Sequence, residues 1–508
     1  MPWAVSLADG SPDDPNREKL APCGATRTAP DVVVESTPLA SSSLAESSLD
    51  VSAPDVVEGS AAGESSVPGR GGHCLGPGPH GSHGPVILRD PVHGLIAFDG
   101  PVEAIVLRLL DTPEVQRLRR IRALGAASLA FPGAEHSRFA HAIGSAHVMK
   151  RYLQRVGRFE GDLSPADRVD DDHARVALAA ALLHDLGHGP YSHTFEAVLP
   201  GALAHEEWTS RILLDPDTAV HQVLRSIDPQ APAVVERLIH GEHPVPHLAR
   251  AVSGTFDVDR CDYLLRDSHM TGVRYGLLDL DWLLGSLRLD VRPGADAASL
   301  TVDGEKGLTA VEGFFLARLY MYRQVYLHKA VRAAEAVLRA LFARLATLGP
   351  QPGTPAPLAV LLAGGTIDTR AYLDLDDHAL ESALRAWCDS SDPQLAELAR
   401  RLRERRLFKT LRLHRGVAPQ LAATRLHEVL TASGVPTELG SIDRIEIDAY
   451  IEDEALMVRS GARLERLLDA SPVLHGLSRE AFVHYRAIFP PEAREAVRAA
   501  MADLADLH

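Results

Sequence analysis

The densest polar cluster in this 508-residue chain is His184-Asp185-Leu-Gly-His188-Gly-Pro-Tyr-Ser-His193, which follows the apolar run VALAAALL. An imidazole and a carboxylate buried at the end of an apolar helix are costly unless they are paired or bind a metal. A divalent ion resolves that cost. Adjacent His184 and Asp185 offer one nitrogen and one oxygen, and His188, four residues on, reaches the same face if the helical turn persists. Further ligands must come from elsewhere. An isolated His-Asp pair is more often a hydrogen-bonded helix end, so its company has to decide. HSRFAH (136–141) precedes a helical pattern and sets His141 near its start, and DVDRCDYLLRD (257–267) follows downstream. His141, His184-Asp185 and Asp259 thus stand in the order H…HD…D.

Two helical faces add polar groups. Asp259, Tyr263 and Asp267 recur every four residues, aligning a carboxylate, a phenol and a second carboxylate on a face that can take a sugar and base. Arg318, Tyr322 and Tyr326 repeat this spacing, with Lys329 three residues further on, as expected of a face meeting outer phosphates. The ordinary alternative is that pairs such as Asp262–Arg266 stabilise exposed helices and that the tyrosines are core.

The motif order resembles that of the HD phosphohydrolase superfamily. Residues from about 86 to 330 resemble its deoxynucleoside triphosphate triphosphohydrolases, which include the sterile-alpha-motif-and-HD-domain enzyme of animals and bacterial dGTPase-like relatives. The matching segments are DPVHGLI (90–96), LDTPEVQRLRRI (110–121), FPGAEHSRFAH (131–141), LLHDLGHGPYSH (182–193), HEE (205–207), DVDRCDYLLRD (257–267) and YRQVYLHK (322–329). The resemblance implies a mainly α fold with an HD-domain helical core. It assigns His141, His184, Asp185 and Asp259 to one divalent ion, whether iron, manganese, magnesium or zinc. It makes Arg138 a substrate arginine, sets His188 and His193 beside the scissile α-phosphate, and pairs His205 with Glu196 as an acid–base couple. His205 is then the expected proton donor, and Tyr263, Asp267, Arg318, Tyr322 and Tyr326 contact substrate.

The implied activity is metal-dependent hydrolysis of a deoxynucleoside triphosphate to nucleoside and triphosphate. Two departures bear on substrate identity: Ala123 replaces a glutamine that helps recognise deoxyribose, and Tyr322 replaces a phosphate-contacting histidine. Alternatives are therefore an HD enzyme acting on other nucleotides or oligonucleotide ends, and an inert nucleotide-binding scaffold. Asp111, Gln116 and Arg119, with Lys306, match positions that hold an activating nucleotide, although Val86 replaces an activator-site lysine. An activating nucleotide and a homo-oligomer follow as lower-ranked expectations.

The elements that must position these groups are mostly helices. Apolar residues recur at helical spacing between Pro101 and Gln154, and residues 176–188 suit a fully buried helix. Helices continue from His205 to about Ile239 and from Phe256 to Leu284, and one long helix is expected from about Val311 to Leu348. SLRLDV (286–291), a PGAD turn and SLTV (299–302) form a hairpin. GPQPGTPAPLAV (349–360) is a Pro/Gly break. Beyond it lie helices near 378–388, 393–406 and 491–507 and a strand RIEIDAYI (444–451), making a smaller α+β region without legible chemistry. The domain division is a disordered tail over 1–85, the HD phosphohydrolase domain over 86–348 and the C-terminal region over 349–508.

The tail is rich in Ser, Gly, Pro and Ala, too poor in apolar area to offset ordering entropy. It holds 11 acidic and four basic side chains, so −7 of the net −16 lies there. An acidic chain disfavours an extended duplex nucleic-acid footprint but not a small polyanion in a basic pocket. The four cysteines are far apart with no C-x-x-C pair, which excludes a cysteine zinc site and suits a reducing, cytoplasmic setting. No apolar run approaches the roughly 20 residues of a membrane span.

Overall fold

The computed structural model describes residues 86–506 apart from 200–202, 255, 292–296, 448–455 and 480–481. The N-terminal tail, the PGAD turn and the end of RIEIDAYI lie outside the described residues. What forms is the mainly helical architecture expected, with three small sheets.

Three helices carry the centre: α1 (Arg138–Val156), α2 (Asp171–Leu183) and, later in the chain, the helix Val258–Thr271. In α2 every residue from Val176 to Leu183 is buried. The four alanines of that run let neighbouring backbones approach closely, and the Asp170 side chain caps α2 by accepting the His173 N–H at 2.8 Å. The apolar run ends at His184, so the first polar side chains emerge where the core stops. Two shorter helices follow, α3 (His193–Val198) and α4 (His205–Leu214). The Val258–Thr271 helix, α5, is capped by Asp257 and stopped by Gly272 in the left-handed region at φ 77°. Its Cys261 is buried and free, as is Cys388.

The long helix expected over 311–348 is two. α6 (Gly304–Met321) runs into a π-helical turn over Tyr322–Tyr326, closed by the Leu327 N–H donating to the Tyr322 carbonyl at 2.9 Å. The chain then extends at His328 (ψ 136°), whose side chain caps α7 (Lys329–Leu348). A π turn widens the helix and frequently marks a functional site. Here it sets Tyr322 and Tyr326 together and starts Lys329 on a new axis.

Strands β1 (Ile87–Asp90) and β2 (Gly94–Ala97) form an antiparallel hairpin against the helical core. The expected hairpin of β3 (Leu287–Val291) and β4 (Ala298–Asp303) forms, and β4 also pairs in parallel with β7 (Met457–Ser460), which leads into β8 (Arg463–Arg466). Packing therefore continues across the Pro/Gly stretch after Leu348. A second apolar cluster joins α7 to helices α8 (Asp377–Trp387) and α9 (Pro393–Arg403), and to Phe195 and Trp208 from the segments after the HD pair. A third sheet, β5 (Lys409–Leu413), β9 (Phe482–Phe489) and β6 (Ser441–Ile447), has β9 central and antiparallel to both neighbours. Helices α10 (Pro419–Ala432) and α11 (Arg494–Ala500) cover it. Among the described residues no helix is long and apolar enough to cross a membrane.

One half-buried histidine is expected to make this fold acid-sensitive. His147 of α1 has an Nδ1 atom buried without a hydrogen-bond partner. Burial first, then the neighbouring His93, Arg151 and Lys150, push its pKa down to about 4. The unfolded chain takes up this proton near the ordinary value of about 6.5, so stability is full above that pH and drains as pH falls toward the folded value. The expected result is that His147→Gln loses less melting temperature than the parent protein between about pH 7 and about pH 4.5. Equal losses in both proteins would show that His147 does not carry this dependence.

Candidate metal centre and proton-transfer cluster

The α1 and α2 helices bring His141 and His184 together with Nε2 atoms 3.3 Å apart. Asp259, at the start of α5, sets Oδ1 at 3.0 Å from His141 Nε2 and 3.4 Å from His184 Nε2. Asp185 oxygens lie 3.7 Å from the first ring and 3.6 Å from the second. The four residues expected to share an ion therefore converge.

The second nitrogen of each ring fixes its orientation. His141 Nδ1 donates to Asp262 Oδ2 at 2.8 Å, and His184 Nδ1 donates to the Ala181 carbonyl at 3.0 Å. Both Nε2 atoms are then lone pairs, and two carboxylates face them. Arg138 bonds the Asp185 carboxylate from one side, and two nitrogens plus two carboxylates suit a divalent transition or magnesium-class ion. Burial opposes charge on Asp185, yet Arg138, His184 and His188 hold its carboxyl well below the usual range. Burial likewise opposes charging His141, but Asp259 and Asp262 raise it to about 10. The carboxylates around His141 thus favour positive charge at this cluster.

Asp262 is the support that spacing misrepresents. Its pair with Arg266 is fully buried, not exposed: the guanidinium reaches both carboxylate oxygens at 2.8 and 2.9 Å and Asp90 of β1 at 2.8 Å. His93, from the β1–β2 turn, meets Asp262 Oδ1 at 2.7 Å. A Cβ on Gly144 would lie 1.8 Å from that oxygen, so α1 needs glycine there to approach the pair. The hairpin DPVHGLI thus braces His141 from behind.

Beyond Asp185 the chain turns sharply. Tyr191 and Ser192 both have positive φ, 54° and 52°, a conformation that costs about 1–3 kcal/mol per residue and persists only when surroundings enforce it. Asp377 of α8 accepts the Tyr191 N–H at 2.9 Å, and Ser192 Oγ accepts from Arg138 Nε at 3.1 Å. Tyr372 donates to the Gly187 carbonyl at 2.5 Å and stacks on Trp208. A Cβ at Gly187 would meet the His205 carbonyl oxygen at 2.1 Å, so glycine admits α4 against the turn. The C-terminal region thereby holds the loop that presents the chemistry. Arg138 itself bonds the Asp185 carboxylate.

The turn gathers four further residues. His205 Nδ1 lies 3.1 Å from Glu196 Oε2 and 3.2 Å from Glu206 Oε2. Its ring stacks on His188 at 3.8 Å, and His188 Nε2 is 3.2 Å from Asp185 Oδ1. His193 is 59% exposed and packs edge-on to both rings. Burial, followed by the charges of Arg138 and His205, depresses His188 to about 3, so it stays neutral. Burial opposes ionisation of Glu196, but the three histidines around it keep it well below the carboxylate range.

The tyrosine faces also meet. Tyr326 donates to Asp267 Oδ2 at 2.8 Å, and the other Asp267 oxygen pairs with His136 Nε2 at 2.8 Å. Tyr263 and Tyr322 both pack edge-on to Tyr326, and the Arg318 guanidinium lies 5.1 Å from the Tyr322 ring centre. Arg318 is buried with Nε lacking a partner. Lys329 does not continue this face. It lines a cavity of about 390 Å³ with Arg405, Lys409, Arg494 and Arg498, none of them from the metal quartet. The cation-rich run RERRLFK was the sequence signal for that cavity. Of the residues expected to hold an activating nucleotide, Gln116 Oε1 accepts from Arg119 Nε at 2.7 Å, the Arg119 guanidinium covers Phe139, and Asp111 is exposed.

Residues 138–253 match the HD domain family and residues 297–508 the HD associated region. The chain is 37% identical to the uncharacterized protein YwfO of Bacillus subtilis over 326 residues, 64% of this chain and 71% of that one. Over 64% of its length it is 27% identical to deoxynucleoside triphosphate triphosphohydrolase SAMHD1 of Danio rerio, of which the match spans 55%. The crystal structure of a phosphohydrolase (BT4208) from Bacteroides thetaiotaomicron superposes with a TM-score of 0.67 at 27% identity, covering 80% of this chain and 99% of that one. The chain belongs to the HD-domain family, whose members are metal-dependent phosphohydrolases.

Proposed function

We propose that the protein hydrolyses deoxynucleoside triphosphates to deoxynucleoside and triphosphate. The observation that carries this reading is the short relay from metal ligand to proton donor: Asp185 faces His188, which stacks on His205, whose Nδ1 is held by Glu196. Attack of water on the α-phosphorus breaks its bond to the 5′ oxygen, and that oxygen needs a proton as it leaves. An ion held by His141, His184, Asp185 and Asp259 supplies Lewis-acid polarisation of the phosphate and a more acidic water. His205, oriented through Nδ1, donates from Nε2. Arg138, fixed by Asp185 and Ser192, turns its fork toward the phosphate, with His188 and His193 alongside. Buried Arg318 has an unused N–H for the outer phosphates, Tyr322 adds a hydroxyl, and Tyr263 with the Tyr326–Asp267 pair forms the wall for sugar and base.

A second reading, an HD phosphohydrolase acting on another nucleotide or an oligonucleotide end, draws on Ala123, whose methyl group cannot hydrogen-bond a sugar, and on uncharged Tyr322. An activating nucleotide at Asp111, Gln116 and Arg119, and assembly into a homo-oligomer, complete the proposal. Manganese- or iron-loaded protein incubated with each dNTP, with and without GTP, and resolved by chromatography is expected to release nucleoside and triphosphate. Asp185→Ala should abolish the reaction. Release of mononucleotide or inorganic phosphate, here or in a parallel screen of nucleoside monophosphates, cyclic dinucleotides and oligonucleotides, would favour the second reading, and turnover of nothing in either screen by metal-loaded protein would leave only the inert scaffold.

A further inference from the structure

We propose that His188, His193, Glu196 and His205 form a second metal site, suited to a transition cation of the zinc class. The candidate ligand atoms of these four residues lie within 4.8 Å of one another. Nδ1 atoms of His205, His188 and His193 lie 3.1, 3.6 and 3.8 Å from oxygens of the Glu196 carboxylate. A tetrahedral ion with bonds of about 2.0–2.1 Å sets its ligand atoms roughly 3.3–3.4 Å apart. The three separations bracket that edge, and two of them are too long for direct hydrogen bonds.

Two buried atoms point into this space unpartnered, His188 Nδ1 and Glu196 Oε1, and they face each other. In the tautomer that carries its proton on Nε2, 3.2 Å from Asp185 Oδ1, His188 has an Nδ1 lone pair facing a carboxylate oxygen. Opposed lone pairs in a buried site are reconciled by a cation between them. The near-parallel rings of His188 and His205, tilted by 16°, set their nitrogens side by side, while exposed His193 stands at the solvent edge as the entry ligand. Three imidazoles and one carboxylate are a donor set for zinc, cobalt or copper rather than for magnesium or calcium. No ligand is shared with the quartet.

The consequence rests on the proposed hydrolase: a His205 ring bound through Nδ1 is a neutral imidazole rather than an imidazolium, its Nε2–H is then too weak an acid to protonate the leaving oxygen, and an ion here inhibits. The site itself does not depend on that reading. Full-length protein loaded with one equivalent of Mn²⁺ is titrated with Co²⁺ and with Zn²⁺, counting total bound metal by elemental analysis and following the visible absorption of tetrahedral Co²⁺. The expected result is two ions per chain, with His193→Ala weakening the second at least about tenfold and leaving the first in place. His193 is exposed, so the variant keeps its fold. Saturation of the parent protein at one ion overturns the proposal, and so does a His193→Ala variant that binds the second ion undiminished. Metal counting involves no nucleotide, so either result stands apart from the outcome of the dNTP assay.

Discussion

His205→Gln is expected to lower kcat on a deoxynucleoside triphosphate by about 10²–10⁴-fold, the usual contribution of a positioned general acid. KM and quartet metal content should stay as they were. The side chain is 13% exposed and contacts Glu196 and Glu206 rather than any of the four quartet ligands, so its loss removes a proton and not an ion. Glutamine preserves a hydrogen bond to Glu196, which keeps the turn in place. The decisive comparison is the leaving group. A 5′ alkoxide needs protonation as its bond to phosphorus breaks, whereas p-nitrophenolate leaves as the anion. Against a p-nitrophenyl phosphodiester the variant should lose far less than against the triphosphate. Equal losses on both would refute the proton-donor role and point to positioning of water or phosphate instead. Glu196→Gln should reproduce the pattern more weakly, because it disturbs the ring's orientation while leaving the imidazole.

The convergence of His141, His184, Asp185 and Asp259 is legible in the sequence because each sits in a local motif whose residue types have few other uses: a His-Asp pair ending an apolar helix, a histidine opening another, an aspartate opening a third. The place of Asp262 is not, although it is three residues from Asp259. At i, i+4 from Arg266 it has the spacing of a surface ion pair, and spacing alone carries no information on burial; only the packing of α1 across Gly144 turns the pair inward. His136 lies in HSRFAH, but its partner Asp267 comes from a helix far along the chain, so no local pattern announces their pair. Lys329 was placed with Arg318 on the assumption of an unbroken helix, and the apolar pattern is indeed unbroken. The π turn and extended His328 that separate them are set by tertiary packing, which overrides a periodic signal. Tyr372 and Asp377 hold the strained HD turn from the C-terminal region, and no pattern near either residue announces it.

That dependence on distant supports makes Asp262→Ala the most damaging single change expected away from the ligands. The carboxylate is inaccessible to solvent and accepts from His141, His93 and the Nε and Nη2 of Arg266. Removing it strands a buried guanidinium with Asp90 as its remaining carboxylate partner, and breaking a buried pair from one side costs about 3–5 kcal/mol. It also frees His141 Nδ1, so the ring can rotate or present the wrong tautomer to the ion. Loss of such a partner lowers metal affinity about 10–100-fold. Denaturant unfolding of the metal-free protein measures the first effect, and competition with a chelator the second. Asp262→Asn separates them: it keeps the shape and one acceptor oxygen, so stability should partly recover while metal affinity stays reduced, because a neutral amide does not make the imidazole a better donor. A folded Asp262→Asn that holds metal as tightly as the parent protein would mean that the quartet needs no brace behind His141.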